Sequence, residues 1–387
     1  MKYNFDEIID RSHTDAVKVE ALAERWGRTD LIPLWVADMD FRTAPFVVDA
    51  IKKRLENEIL GYTIKSKDWY VSIINWLKER YDWKISANML TYTPGIVTGL
   101  GLAIQCFTQP GDKVMVQPPV YHPFFLVTEH NHREVVWNPL ILEDGQYRMD
   151  MENFRKQIKG CKLFILCNPH NPGGRVWTKE ELEEVAHICY ENNVLVVSDE
   201  IHADLTLAPY VHHPFANVSE EARNNSIVFM SPSKAFNMPG LSSSYCIIEN
   251  EALRAKFQEY VAAAELDSGH LFAFITVAAA YSNGTEWLDQ MLAYVSANID
   301  YLESFLKEYT PKIKMIRPQA SYLVFMDCRE LGLSQPDLIK FFEDGAHLAL
   351  NEGAMFGKEG AGFMRINVAT PRSVLERALN QLREAYR

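Results

Sequence analysis

Through the middle of the chain, short β-branched or apolar runs alternate with amphipathic stretches, and each apolar run stops on polar residues. A sheet of mainly parallel strands, each joined to the next by a covering helix, buries both kinds of segment. The pattern predicts strands over residues 113–117, 134–137, 162–167, 194–198, 227–230 and 244–248. Between them, residues 180–191 place Leu182, Val185, Ala186, Ile188 and Cys189 near one face at helical spacing, as a crossover helix requires. From residue 286 the pattern changes to a long helix through 309, an apolar strand at 322–327, a helix near 336–343 and a final amphipathic helix from 371. The expected fold is therefore α/β. Residues 45–285 make a large domain with a mainly parallel central sheet flanked by helices. Residues 1–44 and 286–387 make a smaller α+β domain.

A length of 387 residues allows two or three units with proper cores. The formal charge is −12, and no Lys/Arg block offsets it, so phosphate backbones and anionic lipid surfaces are repelled. Neither nucleic acid nor membrane is an expected partner. The first residues, MKYNFDEIIDR, carry acids where a secretory leader needs an apolar run, and the longest apolar stretch, 271–281, is too short to span a bilayer. A cytoplasmic protein is the expectation. Six cysteines lie scattered through apolar segments with no CxxC, the pattern of buried reduced thiols rather than of a disulfide framework or zinc site. His130 and His132 lack companion ligands and read as solvated polar sequence, so no metal is expected.

In open α/β sheets the carboxyl ends of the strands form the ligand crevice. Four such ends carry chemistry. Strand 162–167 runs into Asn168-Pro-His-Asn171-Pro-Gly-Gly174, and strand 194–198 into Asp199-Glu200-Ile201-His202. Strand 227–230 runs into Ser231-Pro-Ser233-Lys234. Thr93-Pro94-Gly95 precedes a helix beginning at Ile96 and Val97, whose free N–H groups suit an anion. Taken singly, a Lys after Ser-Pro-Ser is an ordinary surface residue, and a strand-ending Asp or Asn is a turn former. Together they fit a cofactor with an aldehyde, a phosphate and a protonatable ring nitrogen, and pyridoxal phosphate has all three.

In order and spacing, SPSKAFN, SDEIH and NPHNPGG resemble the class I/II aminotransferase superfamily of fold type I pyridoxal-phosphate enzymes. Within it, PLWVADMDF (33–41), LGYT (60–63), YTPGIVTGL (92–100), PPVYHPF (118–124) and FMRINVATPRS (363–373) resemble the MalY/PatB-type cystathionine β-lyases. The resemblance implies roles position by position. Lys234 matches the Schiff-base lysine, Asp199 the partner of the pyridinium nitrogen, and Asn171 the donor to the phenolic oxygen. His202 stands where aminotransferases often have Tyr. Tyr121 matches the ring-stacking residue, while Ile96, Val97, Ser231 and Ser233 match phosphate contacts. Tyr62 matches a phosphate-binding tyrosine lent by the second subunit of a homodimer with shared active sites, and Arg365 the clamp on the substrate α-carboxylate.

One departure is informative. Many aminotransferases carry a phosphate-gripping Arg eight residues after the lysine; here that position is Ser242, within Gly240-Leu241-Ser242-Ser243-Ser244. The lyase branch implies α,β-elimination on cystathionine or cysteine S-conjugates, giving a thiol, pyruvate and ammonia. The alternative is an aminotransferase for aromatic or histidinol-phosphate-like substrates, which shares the early steps. A non-catalytic scaffold is a third reading, against which Lys234, Asp199 and Arg365 together argue. His122, beside Tyr121, fits either a role at the leaving group or plain packing. Trp35 and Met39 read either as lining of the substrate mouth or as core.

Overall fold

The structure, a computed structural model, describes residues 2–387. Seven strands form one sheet: β1 (Leu90–Thr93), β2 (Lys113–Val116), β3 (Glu134–Trp137), β4 (Cys161–Cys167), β5 (Leu195–Asp199), β6 (Ser226–Met230) and β7 (Ser244–Ile247). Their order across the sheet is β1-β7-β6-β5-β4-β2-β3. From β3 to β6 neighbouring strands are parallel, and β7 runs antiparallel to both β6 and β1. The carboxyl ends of β1, β4, β5 and β6 therefore share one edge with the amino end of β7. Register places Cys167 opposite Asp199 and Asp199 opposite Phe229, while Ser244 faces Thr93.

Alternation along the strands explains why both faces are covered. Phe164, Leu166, Val196, Val228 and Met230 enter the core on one face, and Leu163, Ile165, Val197, Ile227 and Phe229 the core on the other. Successive side chains of a strand point to opposite faces, so runs that are apolar throughout need helices on both sides. The crossover helix Lys179–Glu191 begins at a capping box in which the Thr178 hydroxyl accepts from the Glu181 amide and the Glu181 carboxylate accepts from the Thr178 amide.

The smaller C-terminal domain is α+β. Strands β8 (Lys314–Ile316), β9 (Leu323–Asp327), β10 (Asn351–Glu352) and β11 (Phe363–Asn367) form an antiparallel sheet in the order β8-β9-β11-β10. Helices Thr285–Tyr309 and Arg372–Tyr386 accompany it. The N-terminal segment joins this unit: Ile32–Pro33 pairs in parallel with Leu348–Ala349, and Asn367 Nδ2 donates to the carbonyls of Val36 and Asp38. Strand β11 is thus tied directly to residues 36–38.

Several elements differ from the sequence expectation, among them a strand and a helix. Strand β1 has only four residues, LTYT, ending at Thr93-Pro94, and carries too short an apolar run to announce itself. The helix expected near 336–343 is Gln335–Lys340 followed by a wider turn, Phe341–Gly345. All six cysteines are buried and unpaired. Among the described residues no helix is long and apolar enough to cross a membrane, and no group of His, Cys, Asp and Glu is arranged to hold a metal ion.

Candidate active site

A cavity of about 210 Å³ opens at the shared strand edge. Each motif reaches it from a different element. The turn after β1 and the start of helix Ile96–Phe107 bring Gly95, Ile96, Val97 and Thr98. The turn after β4 brings Asn171, β5 brings Asp199 with Ile201 and His202 beyond it, and the turn after β6 brings Ser233 and Lys234. Because β7 starts at this edge, Ser242, Ser243 and Ser244 line it as well. Tyr121 closes another side, its amide donating to the Asn171 carbonyl at 3.0 Å.

At the helix N-terminus the first amides lack intrahelical acceptors, which makes the turn at Gly95 ready for an anion. Hydroxyls surround it. Ser233 lines the cavity, and Ser243 Oγ and Thr93 Oγ1 are buried without a hydrogen-bond partner. Ser231 lies one step back, its hydroxyl accepting from the Ser233 amide at 3.1 Å and donating to the Ser243 carbonyl at 3.4 Å. Among the described residues Lys234 is the sole Lys or Arg in the cavity lining.

Asp199 is buried, and one carboxyl oxygen accepts from the Ile201 amide at 3.1 Å. Burial, against the pull of that amide, pushes its carboxyl up to about 7. A cationic N–H placed in the cavity would restore the carboxylate. Burial likewise pushes the Lys234 ammonium down to about 8, and its Nζ donates to the Ala37 carbonyl at 2.7 Å. His202 is buried with Nδ1 unpartnered; burial first, then Lys234 and Arg365, push it down to about 3, so its imidazole is neutral.

Arg365, on β11, is 5% exposed and meets only neutral acceptors. It donates to Asn171 Oδ1 at 2.9 Å, Asn351 Oδ1 at 2.6 Å and the Trp35 carbonyl at 3.3 Å, and it lies over the Phe356 ring. Its Nε is buried without a partner, and burial pushes the guanidinium down to about 10. A buried cation bonded only to amides and a carbonyl is the arrangement that gains most from an arriving carboxylate. With Oδ1 taken by Arg365, Asn171 has its amide nitrogen left to donate.

Tyr62 is the one candidate that its own chain does not bring here. Its side chain is fully exposed at 111%, amid exposed Ile59, Leu60 and Ile64. Sequence reasoning, in turn, missed the Ala37 carbonyl, Asn351, Thr98 and the Ser243 hydroxyl. Ser243 and Thr98 had a signal, their places beside Ser242 and Val97. Trp35 serves the site through its carbonyl while its ring is buried; Met39 is core.

The profile of the family Aminotransferase class I and II matches residues 29–382. Cystathionine beta-lyase PatB of Bacillus subtilis is 40% identical over 384 residues, covering 99% of each chain. A pyridoxal-phosphate-bound protein of Clostridium difficile, provisionally named an aminotransferase, superposes with a TM-score of 0.98 at 42% identity, covering all of both chains. Cystalysin of Treponema denticola, which contains a pyridoxal 5'-phosphate cofactor, superposes with a TM-score of 0.95 at 32% identity, over 100% of this chain and 99% of the other. The cavity, its donors and these end-to-end likenesses converge: the chain belongs to the class I and II aminotransferase family of fold type I pyridoxal-phosphate enzymes, close to the MalY/PatB-type cystathionine β-lyases and C–S lyases.

Proposed function

We propose that this chain is a pyridoxal-phosphate-dependent C–S lyase that performs α,β-elimination on cystathionine or cysteine S-conjugates, releasing a thiol, pyruvate and ammonia. The observation that carries the reading is the end-to-end match with a cystathionine β-lyase, on a chain whose phosphate-side wall has Ser242 instead of an arginine.

The donors of the cavity fit this cofactor. The Ile96 and Val97 amides with the Ser233 and Ser243 hydroxyls suit its phosphate, and Ser231 acts from behind by fixing the Ser233 amide. Asp199 suits the ring nitrogen, Asn171 and neutral His202 the phenolic oxygen, Tyr121 a ring face, and Lys234 the aldehyde. When bound, pyridoxal phosphate supplies a sink for the electron pair released as the substrate Cα–H bond breaks.

The remaining tasks fall to side chains. Arg365 grips the α-carboxylate through paired N–H bonds and so fixes the direction of the Cα–H bond. Lys234, whose amine is available near neutral pH because burial disfavours its ammonium, takes the Cα proton. Asp199 remains an anion as long as a positive N–H faces it, and thereby keeps that proton from leaving. Tyr121 covers the reacting face against water. The Cβ–S bond then breaks with its electron pair leaving on sulfur, and the 2-aminoacrylate set free takes up water to give pyruvate and ammonia.

The same reading makes the enzyme a cytoplasmic homodimer. Exposed Ile59, Leu60, Tyr62 and Ile64 in one segment support burial against a second copy, with Tyr62 reaching the partner's phosphate side, where a cation is lacking. It also assigns residues 1–44 to the small domain, supported by the pairing of Ile32–Pro33 with Leu348–Ala349.

The test is to supply L-cystathionine to the holoenzyme without any keto acid. Homocysteine, pyruvate and ammonia in equal amounts are expected. Turnover that requires a keto acid, with no thiol released, establishes the aminotransferase instead.

A further inference from the structure

Arg25 lies on the short helix Leu22–Trp26, ten residues before Trp35. It is exposed, and among the described residues its guanidinium makes no ion pair or hydrogen bond. Its one contact is aromatic: the guanidinium carbon sits 4.4 Å from the centroid of the Trp35 ring. Arg28, three residues on, is by contrast neutralised by Asp30 and Asp344. In a chain of net charge −12, a cation that forms no ion pair among the described residues is free to meet an anion from outside.

Trp35 links this cation to the substrate clamp. The indole is held rigidly, with Nε1 donating to the Lys18 carbonyl at 3.0 Å and the Trp26 ring edge-on at 5.2 Å. The carbonyl of the same residue accepts from Arg365 at 3.3 Å. One tryptophan therefore carries Arg25 on its ring and receives Arg365 on its backbone. His122 feels both charges. After burial, Arg365 and then Arg25 are the groups that push its imidazole down to about 4, so it adds no charge of its own. Its Nδ1 is buried and unpartnered, and its ring packs against Tyr121 at 5.3 Å and Phe356 at 6.3 Å.

We propose that Arg25, carried on the indole of Trp35, whose carbonyl accepts from Arg365, binds a second carboxylate, one borne by the thiol leaving group. The proposal rests on the lyase reading above and narrows it: the preferred substrates are cysteine thioethers whose sulfur substituent ends in an anion. Arg365 takes the α-carboxylate common to all amino acids. Arg25 distinguishes among leaving groups. Cystathionine, with a carboxylate at each end, satisfies both; S-alkyl cysteines satisfy only the first.

The experiment compares S-(2-carboxyethyl)-L-cysteine with its neutral isostere S-(2-carbamoylethyl)-L-cysteine, following pyruvate released by holoenzyme. Wild type is expected to show the lower KM for the carboxylate. Arg25→Ala should raise that KM roughly two- to fivefold, the range of an exposed ion pair, with kcat little changed. It should leave the KM of the amide untouched. Arg25→Lys should recover part of the discrimination, because the charge remains. Equal effects on both substrates, or none on the carboxylate, overturn the role of Arg25 and leave the lyase standing. Release of pyruvate from neither substrate by wild type overturns the lyase reading and this proposal with it.

Discussion

At the phosphate side of the cavity the groups on offer are backbone amides and hydroxyls: the start of helix Ile96–Phe107, Ser233 and Ser243, with no cation beyond Lys234. At the substrate side a guanidinium is buried with only neutral neighbours, Asn171, Asn351 and the Trp35 carbonyl. On the proposed roles, the difference follows from how long each ligand stays. A resident phosphate can be held by many weak, well-aimed dipoles, each preorganised by the sheet edge. A substrate that comes and goes needs a strong attraction with no competing carboxylate to displace, and Arg365 is left in that condition.

The contrast breaks most completely if the group between the two ends is removed. Lys234→Ala is expected to retain cofactor but to lose turnover by on the order of 10³-fold or more, since the base goes. Single-turnover assays with L-cystathionine check this, and a loss below tenfold would move the proton transfer to another residue. Arg365→Ala is the next largest. Truncating a buried, hydrogen-bonded clamp should cost about 2–5 kcal/mol in kcat/KM for every amino-acid substrate alike. A loss confined to one substrate would make Arg365 a leaving-group residue.

Asp199 tests the cavity before anything fills it. In the cofactor-free chain its carboxyl is raised to about 7, whereas unfolded Asp titrates near ~3.9. Between those values the folded form binds the proton that the unfolded form has lost, so this group's contribution to stability falls as pH rises and levels off above about 7. Cofactor-free Asp199→Asn should therefore be more stable than wild type at pH 8 by on the order of 2–4 kcal/mol and nearly equal at pH 4. Urea denaturation at the two pH values measures it, and a difference that does not change with pH contradicts the assignment. The smallest effect belongs to the phosphate side. Ser243→Ala should weaken cofactor retention by about 1.5–3 kcal/mol, one hydrogen bond to a charged group, with kcat unchanged once cofactor is saturating.

Legibility in the sequence followed the same divide. Strands β4, β5 and β6 were readable because apolar runs buried on both faces cannot be anything short of central strands, and their polar ends placed Asn171, Asp199, Ser233 and Lys234 on one edge. Strand β1 escaped because its residues LTYT, two of them threonines, make no apolar run. The Ala37 and Trp35 carbonyls escaped for a different reason: a backbone acceptor has no residue type, and only the fold brings residues 35–37 against β11. Asn351, on a strand of two residues, is likewise visible only through its 2.6 Å bond to Arg365. The proposed cofactor donors come in contiguous motifs, whereas the proposed substrate clamp is assembled from single residues far apart in the chain.

The claim that both ends serve one reaction at Lys234 is tested most directly by trapping the cofactor. Holoenzyme is reduced with borohydride, digested, and its peptides are mapped by mass. The account predicts that the cofactor is fixed on the peptide containing Lys234, and that L-cystathionine added before reduction removes the label from that peptide. Label on another lysine, or label on Lys234 that substrate fails to displace, would contradict it.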